Sequence, residues 1–352
     1  MNHFVESFAT HQLLPPWVAK GGRSWTFVVR TEERHVRAYL ETYFNGGYPD
    51  RAPFFYAPMP DPQLGLLVAA QRPNVSSQYP GQPVGWDTIS YWEVYWTFPV
   101  YRYRITRDNL LVDRQTVWVQ PFSFGDKASA VFSSREIWGT DMTMANIVAQ
   151  PNLPPEHLHL DVVIEGVKHF APRSRSEPLG FIHVKTKQAT PFKDPSNPML
   201  RLLDDHPELS RFVALLVGSV GFASEAAPVT PSVELDNLKQ FRDCYDMDKA
   251  IYRAIVASRT LHSEIADLVF YDGAGVELDF MWSDSVKEIL QTLFVTDQRT
   301  KSGPPSDHQV RAGGDHGADW NMPRLSMPVE FGFSYTSNVT FEVLDTIHTY
   351  GG

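Results

Sequence analysis

Proline punctuates this chain. Twenty-seven prolines are spread over 352 residues, and each one inside a helix removes a backbone hydrogen bond and clashes with the preceding turn. Long uninterrupted helices are therefore few. Between the prolines lie short runs dense in Val, Thr, Tyr, Trp and Phe, residues that fit a pleated, half-buried surface. Hydrophobic residues make up 43% of the chain, aromatic residues 13% and charged residues 20%. That balance favours a folded, sheet-rich protein over a disordered one.

Reading along the chain, residues 24–30 form a strand, and Thr31 caps a helix carrying Val36, Tyr39, Leu40 and Tyr43 on one face. Residues 65–70 form a strand within a loop-rich region. Residues 89–119 hold two or three strands, with a turn at 106–109. Residues 128–132 read as a short strand, as do 158–164 and 180–187, with a turn at 165–166. Residues 197–217 read as helical and 218–231 as a small-residue linker. Residues 238–242 are strand-like and 246–256 an amphipathic helix. Asp272-Gly273-Ala274-Gly275 signals a hairpin between strands at 264–271 and 276–282. Ser283 caps a last helix, 298–324 is a polar loop, and 329–347 returns to strand. Strands do not alternate strictly with helices, so the pattern predicts an α+β protein built on a large antiparallel sheet or barrel. One domain over 1–297, with an N-terminal arm at 1–20, carries a loop-and-strand extension over 298–352.

The net charge of −10 and the lack of a basic stripe argue against nucleic acid and anionic membranes as partners. No apolar run approaches the roughly 20 residues that span a bilayer. Residues 1–16 lack a basic region followed by an apolar run, and the lone Cys244 suits a reducing compartment and a structural role. A cytoplasmic protein is expected, and a homo-oligomer is compatible with this reading.

Residues 134–143 read Ser-Arg-Glu-Ile-Trp-Gly-Thr-Asp-Met-Thr. This segment resembles the catalytic segment of the acetoacetate decarboxylase family, Gly-Arg-Glu-x-x-Gly-Phe/Tyr-Pro-Lys-Lys, with Arg135, Glu136 and Gly139 keeping the frame. Tyr91-Trp92-Glu93, on a strand ending in Pro99-Val100, looks like the family's Tyr-x-Glu strand. The strand from Arg23 and the helix after it look like the family's opening. The likeness runs from about residue 22 to 147 and weakens beyond. It implies a large curved antiparallel sheet closing into a cone-like β-barrel around a buried pocket, with peripheral helices. It also implies an acidic active-site residue at Glu93 and an arginine at Arg23. A second family glutamate has no counterpart, because Ala69, Ala70 and Gln71 occupy its region. The family's first lysine forms a Schiff base and its second lowers that amine's pKa. Here Met142 and Thr143 stand in their places.

A Schiff base needs an amine that desolvation or a nearby cation keeps neutral, and neither Met142 nor Thr143 offers one. Lys127 reads as a solvated turn residue. Lys185, Lys187 and His183 read as a solvated strand face. What remains is a cation with a carboxylate. Arg135 or Arg23 can hold a substrate carboxylate or stabilise an enolate, and Glu93 or Glu136 can move a proton if burial tunes it. Trp138, Asp141, Met142 and Thr143 complete the expected site. The plainer reading is an Arg–Glu pair that only supports the sheet, with Asp141 as a loop cap. His157 and His159, with Asp161 next in line, form a row that can bind zinc or iron, with His169 as a third ligand. Histidines so placed are more often surface residues, and no metal or other cofactor is expected.

The leading expectation is a lyase-type enzyme acting on a small keto acid or polyketide-like compound. It would work through an enol or enolate by decarboxylation, dehydration or an aldol or cyclisation step. The alternatives are a non-catalytic binding protein for an apolar acid and a metal-dependent enzyme.

Overall fold

The structure is a computed structural model. It describes residues 13–46, 53–60, 63–80, 88–150, 153–154, 157–187, 189–191, 204, 207, 212, 232–242, 250–287, 290, 300–302 and 318–350. Cys244, the 218–231 segment and most of the expected helices at 197–217 and after Ser283 lie outside the described residues.

The elements in chain order are β1 (Trp17–Arg30), α1 (Glu33–Leu40), β2 (Phe54–Pro58), β3 (Leu64–Ser77), β4 (Ile89–Ile105), β5 (Leu111–Gly125) and α2 (Ala128–Ser133). Next come β6 (Met142–Met144), β7 (Asn146–Ala149), β8 (His159–Gly166), β9 (Glu177–Thr186), β10 (Thr190–Pro191), β11 (Ser232–Arg242) and β12 (Ala250–Asp272). The last are β13 (Val276–Met281), β14 (Thr300–Ser302), β15 (Pro323–Ser326) and β16 (Val329–Thr349). No helix among the described residues is long and apolar enough to cross a membrane.

The larger sheet closes on itself. Hydrogen-bonded neighbours run β4–β3–β1–β16–β12–β11–β5, and β5 pairs back with β4. Seven strands thus form a ring, as the expected closed antiparallel sheet requires, and closure removes exposed edges. The C-terminal strand β16 is a stave of that ring, set between β1 and β12. The seam is β11 against β5, a parallel contact of Leu235 with Trp118 and Asp236 with Val119. Side chains clamp it. Buried Asp236 accepts from the Tyr56 hydroxyl and from Arg102 Nη1, each at 2.8 Å, and Arg102 Nη2 reaches Glu234 at 2.9 Å. In β12 the register slips at Ser263–Val269, where Glu264 and Asp267 take φ of 52° and 53°. Such bulges bend a strand and help a sheet to curve.

A second sheet, β14-β15-β13-β9-β8-β7, packs on the outside of the ring. Trp25, Phe27, Val94, Trp96 and Phe98 from the ring meet Leu160, Val162, Phe181 and Phe280 in the main core. Gly65 lies against Trp96, and a Cβ there would come within 2.5 Å of the indole.

Five local expectations are corrected. Residues 128–132 belong to helix α2, which buries Ala130, Val131 and Ser133. Residues 250–256 belong to β12, where pairing with β11 and β16 overrides the amphipathic helical pattern. The Asp272–Gly275 turn does not join paired strands. It carries the chain from β12 in the ring to β13 in the second sheet, with the Asp272 carboxylate accepting from Ala274 N. Glu165 and Gly166 continue β8 opposite Pro178 and Glu177. Within the 298–324 loop, β14 and the start of β15 pair as strands. Helix α1 forms as expected, with Glu32 rather than Thr31 at its N-cap.

Candidate active site

A pocket lies inside the ring, and all seven staves contribute to its wall. Strand alternation selects the lining: Leu66 and Val68 of β3, Tyr91, Glu93, Tyr95 and Thr97 of β4, and Val233, Leu235 and Asn237 of β11. Ser258, Thr260 and His262 of β12 and Phe333, Tyr335 and Phe341 of β16 continue it. Trp17, Trp118 and Trp138 add aromatic wall. The empty space among these residues, open solvent at the mouth included, is about 970 Å³.

Glu93 and Met142, which the resemblance paired, line this same pocket. So do Ser134, Trp138 and Thr140 from the segment between them. That segment is helical. A wide turn at Ser134–Trp138 follows α2 directly, so Ser134 and Trp138 face the pocket one turn apart. Arg135 is exposed and Glu136 only half-buried. Neither lines the cavity, because successive residues of a helical turn point in different directions. Asp141 and Thr143 are likewise exposed, and Thr143 faces away from Met142 as strand neighbours do. Gly139 takes a φ of 70°, and a Cβ there would lie 2.6 Å from Lys239 Cβ and 3.1 Å from its backbone. Glycine is thus required where the loop passes β11. The Lys239 amine is turned to the Glu136 carbonyl, and burial lowers its pKa despite the Glu136 charge.

Arg23 is not in the pocket either. It sits on the opposite face of β1 from Ser24 and Thr26, over the Trp25 ring at 5.6 Å. The cation beside the pocket is Arg72 of β3, which the sequence reading passed over. Its Nε donates to Glu93 Oε1 at 2.8 Å, and its Nη1 to Ser24 Oγ at 3.3 Å. Burial opposes its charge, but Glu93, Tyr95 and Tyr91 raise its pKa further. The alternation Leu66, Val68, Ala70 continues to Arg72, and that was the available signal.

Around this pair stand groups held in defined protonation states. Burial, together with the Arg72 charge, pushes His262 down to about 3, so its imidazole is neutral. Burial pushes the Tyr335 phenol up to about 12 against the pull of Arg72, and raises Tyr91 and Tyr95 as well. All three phenols stay protonated near neutral pH. Asn237 is 3% exposed, and neither end of its amide has a hydrogen-bond partner among the described residues. The same holds for Trp138 Nε1 and Thr140 Oγ1. Unsatisfied buried polar groups are rare and call for an explanation, and a ligand that takes these bonds supplies one. Glu93 and His262 are the only carboxylate and imidazole among the described lining residues.

No family model matches the chain, and no curated protein matches it. Solved structures do. One is the enduracididine biosynthesis enzyme MppR complexed with the condensation product of pyruvate and imidazole 4-carboxaldehyde. It is 12% identical, with 94% of this chain and 90% of that chain covered and a TM-score of 0.46. Acetoacetate decarboxylase from Legionella pneumophila subsp. pneumophila str. Philadelphia 1 is 9% identical over 94% of this chain and 88% of that one, with a TM-score of 0.44. A further acetoacetate decarboxylase structure is 10% identical over 96% and 92%, with a TM-score of 0.48.

Proposed function

We propose that the pocket is the active site of a lyase-type enzyme that acts on a small keto acid through an enolate and without a Schiff base. The observation that carries this reading is the buried Arg72–Glu93 pair at the pocket wall, with Glu93 lining the cavity. A carboxylate held beside a fixed guanidinium in an apolar enclosure is placed to exchange a proton with a carbon next to a carbonyl. The Arg72 charge favours the negative charge that develops on the substrate oxygen. In a dry cavity such fixed charges act far more strongly than in water. The amide of Asn237, the indole N–H of Trp138 and the Thr140 hydroxyl offer hydrogen bonds to a substrate carboxylate or enolate oxygen.

In a decarboxylation the bond to the carboxylate carbon breaks, CO₂ leaves, the electron pair of that bond moves into the enolate, and a proton drawn from water and passed on by Glu93 returns to carbon. In an aldol or dehydration the same groups take the proton and hold the enolate. Met142 stands where the resembling family has its reactive lysine, and no lysine is among the described lining residues.

The aromatic walls favour a second reading, a binding protein for an apolar acid. Trp17, Trp118, Trp138, Phe333 and Phe341 give the cavity a mainly apolar surface. Proton NMR on a panel of 2-keto and 3-keto acids separates the two. Substrate consumption by the wild type that is lost in Glu93→Gln supports the enzyme. Saturable binding with no turnover of any panel member supports the binding protein.

A further inference from the structure

The second sheet carries a cluster that the pocket does not use. Alternation along β8 sends Leu160 and Val162 into the core between the sheets, and His159 and Asp161 to the other face. Strand β9 pairs with β8 so that His183 lies opposite Asp161. The three side chains converge. Their candidate donor atoms all lie within 4.8 Å of one another, and among the described residues no other such group of three occurs. His159 is 9% exposed, Asp161 7% and His183 0%. His159 and His183, expected on solvated faces, are therefore interior, whereas His157 is only half-buried and precedes β8. The third member is His183, whereas His169 is exposed beside Asp284.

Two donors of the cluster already touch. His183 Nδ1 meets Asp161 Oδ1 at 2.7 Å, so an ion in the cluster would take the place of the proton that this pair shares. His159 Nδ1 meets Gln150 Oε1 at 2.6 Å, the kind of contact that orients a metal-binding imidazole. The two rings stand at 90° with centroids 5.3 Å apart.

We propose that His159, Asp161 and His183 form a binding site for a divalent transition-metal ion of the zinc type. Two imidazoles and a carboxylate suit such an ion, whereas magnesium and calcium take oxygen ligands. Bonds of about 2.0–2.2 Å bring donor atoms to roughly 3.3–3.5 Å from one another, so small side-chain rotations close the site. The Asp161 carboxylate offsets part of the ion's charge, and water completes the coordination. None of the three residues lines the pocket inside the ring. The ion would tie β8 to β9, and its binding energy would appear as stability.

The test uses the full chain stripped with a chelator and titrated with Co²⁺, then Zn²⁺. The expected result is one equivalent of Co²⁺ per chain with visible ligand-field absorption, displaced by Zn²⁺. The melting temperature should rise with Zn²⁺ and fall back on adding EDTA. His159→Ala and His183→Ala should each weaken Co²⁺ binding at least tenfold, while His157→Ala leaves it unchanged. If His183→Ala does not fold, Asp161→Asn reads the same loss with the shape kept. Absence of stoichiometric Co²⁺ uptake by the wild type overturns the proposal, as does uptake that survives the His159→Ala/His183→Ala double change.

Discussion

Arg72 Nε and Glu93 Oε1 sit 2.8 Å apart on adjacent strands, both side chains buried within the strand ring. The register explains the meeting. Glu93 lies opposite Ala70 and Tyr91 opposite Arg72, so on one face the long arginine reaches diagonally to the carboxylate. Removing either partner strands the other charge, which costs roughly 3–5 kcal/mol for a buried pair. Arg72→Met should therefore lower stability by about that amount, and Arg72→Met/Glu93→Leu should recover much of it without recovering activity. Urea unfolding of the single and double variants checks this.

Glu93→Gln keeps the shape of the side chain and removes its proton chemistry. Turnover should fall by about 10²–10⁴-fold, the usual contribution of general acid–base catalysis. Thermal melting must be measured alongside, because the neutral amide also weakens the hold on Arg72. A variant with wild-type turnover would return Glu93 to a purely structural role.

Borohydride reduction in the presence of acetoacetate or pyruvate should leave no covalent adduct by mass spectrometry. Met142 lines the pocket where an amine would be needed, and the Lys239 amine is engaged at the Glu136 carbonyl. A stoichiometric adduct on any lysine refutes the Schiff-base-free account.

Asn237→Leu should raise stability and lower function together. The buried amide lacks partners, and an unsatisfied buried polar group costs roughly 1–3 kcal/mol. Removing it should raise the melting temperature while kcat/KM falls at least tenfold. A stable variant with unchanged kinetics would mean that the amide does not meet substrate.

His262 sets an acid limit on stability. Its folded pKa of about 3 lies below the ordinary 6.5, so the unfolded chain takes up the proton first. Stability is fully present above about pH 6.5 and is lost as pH falls towards 3. At about 1.4 kcal/mol per unit, moving from pH 6.5 to pH 4.5 should cost roughly 2–3 kcal/mol through this group. His262→Gln should flatten that part of the pH dependence in urea titrations, and an unchanged slope would contradict it.

Much of the fold was legible in local pattern. The hairpin between β4 and β5 follows from the turn at Thr106–Asn109, where Asn109 takes a φ of 60°. The closeness of Glu93 and Met142 followed from the motif resemblance. What was lost was set by long-range pairing. Residues 250–256 have helical amphipathicity, yet two neighbouring strands claim them. Arg72 and Asn237 look like polar strand ends until the ring closes and turns them inward. The burial of His159 and His183 depends on which face of the second sheet is covered, and the sequence does not state that locally. Arg135 and Glu136 lie off the cavity because helix replaces the strand expected over 128–132 and its turns run on to Trp138.

The most direct test of the proposed chemistry is hydrogen–deuterium exchange at the carbon next to the carbonyl of a keto acid, followed by NMR in D₂O. The account predicts exchange catalysed by the wild type for at least one small keto acid that binds in the pocket. It also predicts loss of that catalysis in Glu93→Gln by at least a hundredfold, with the variant still folded and still binding. Exchange by Glu93→Gln at the wild-type rate, or a bound keto acid whose protons never exchange, would contradict it.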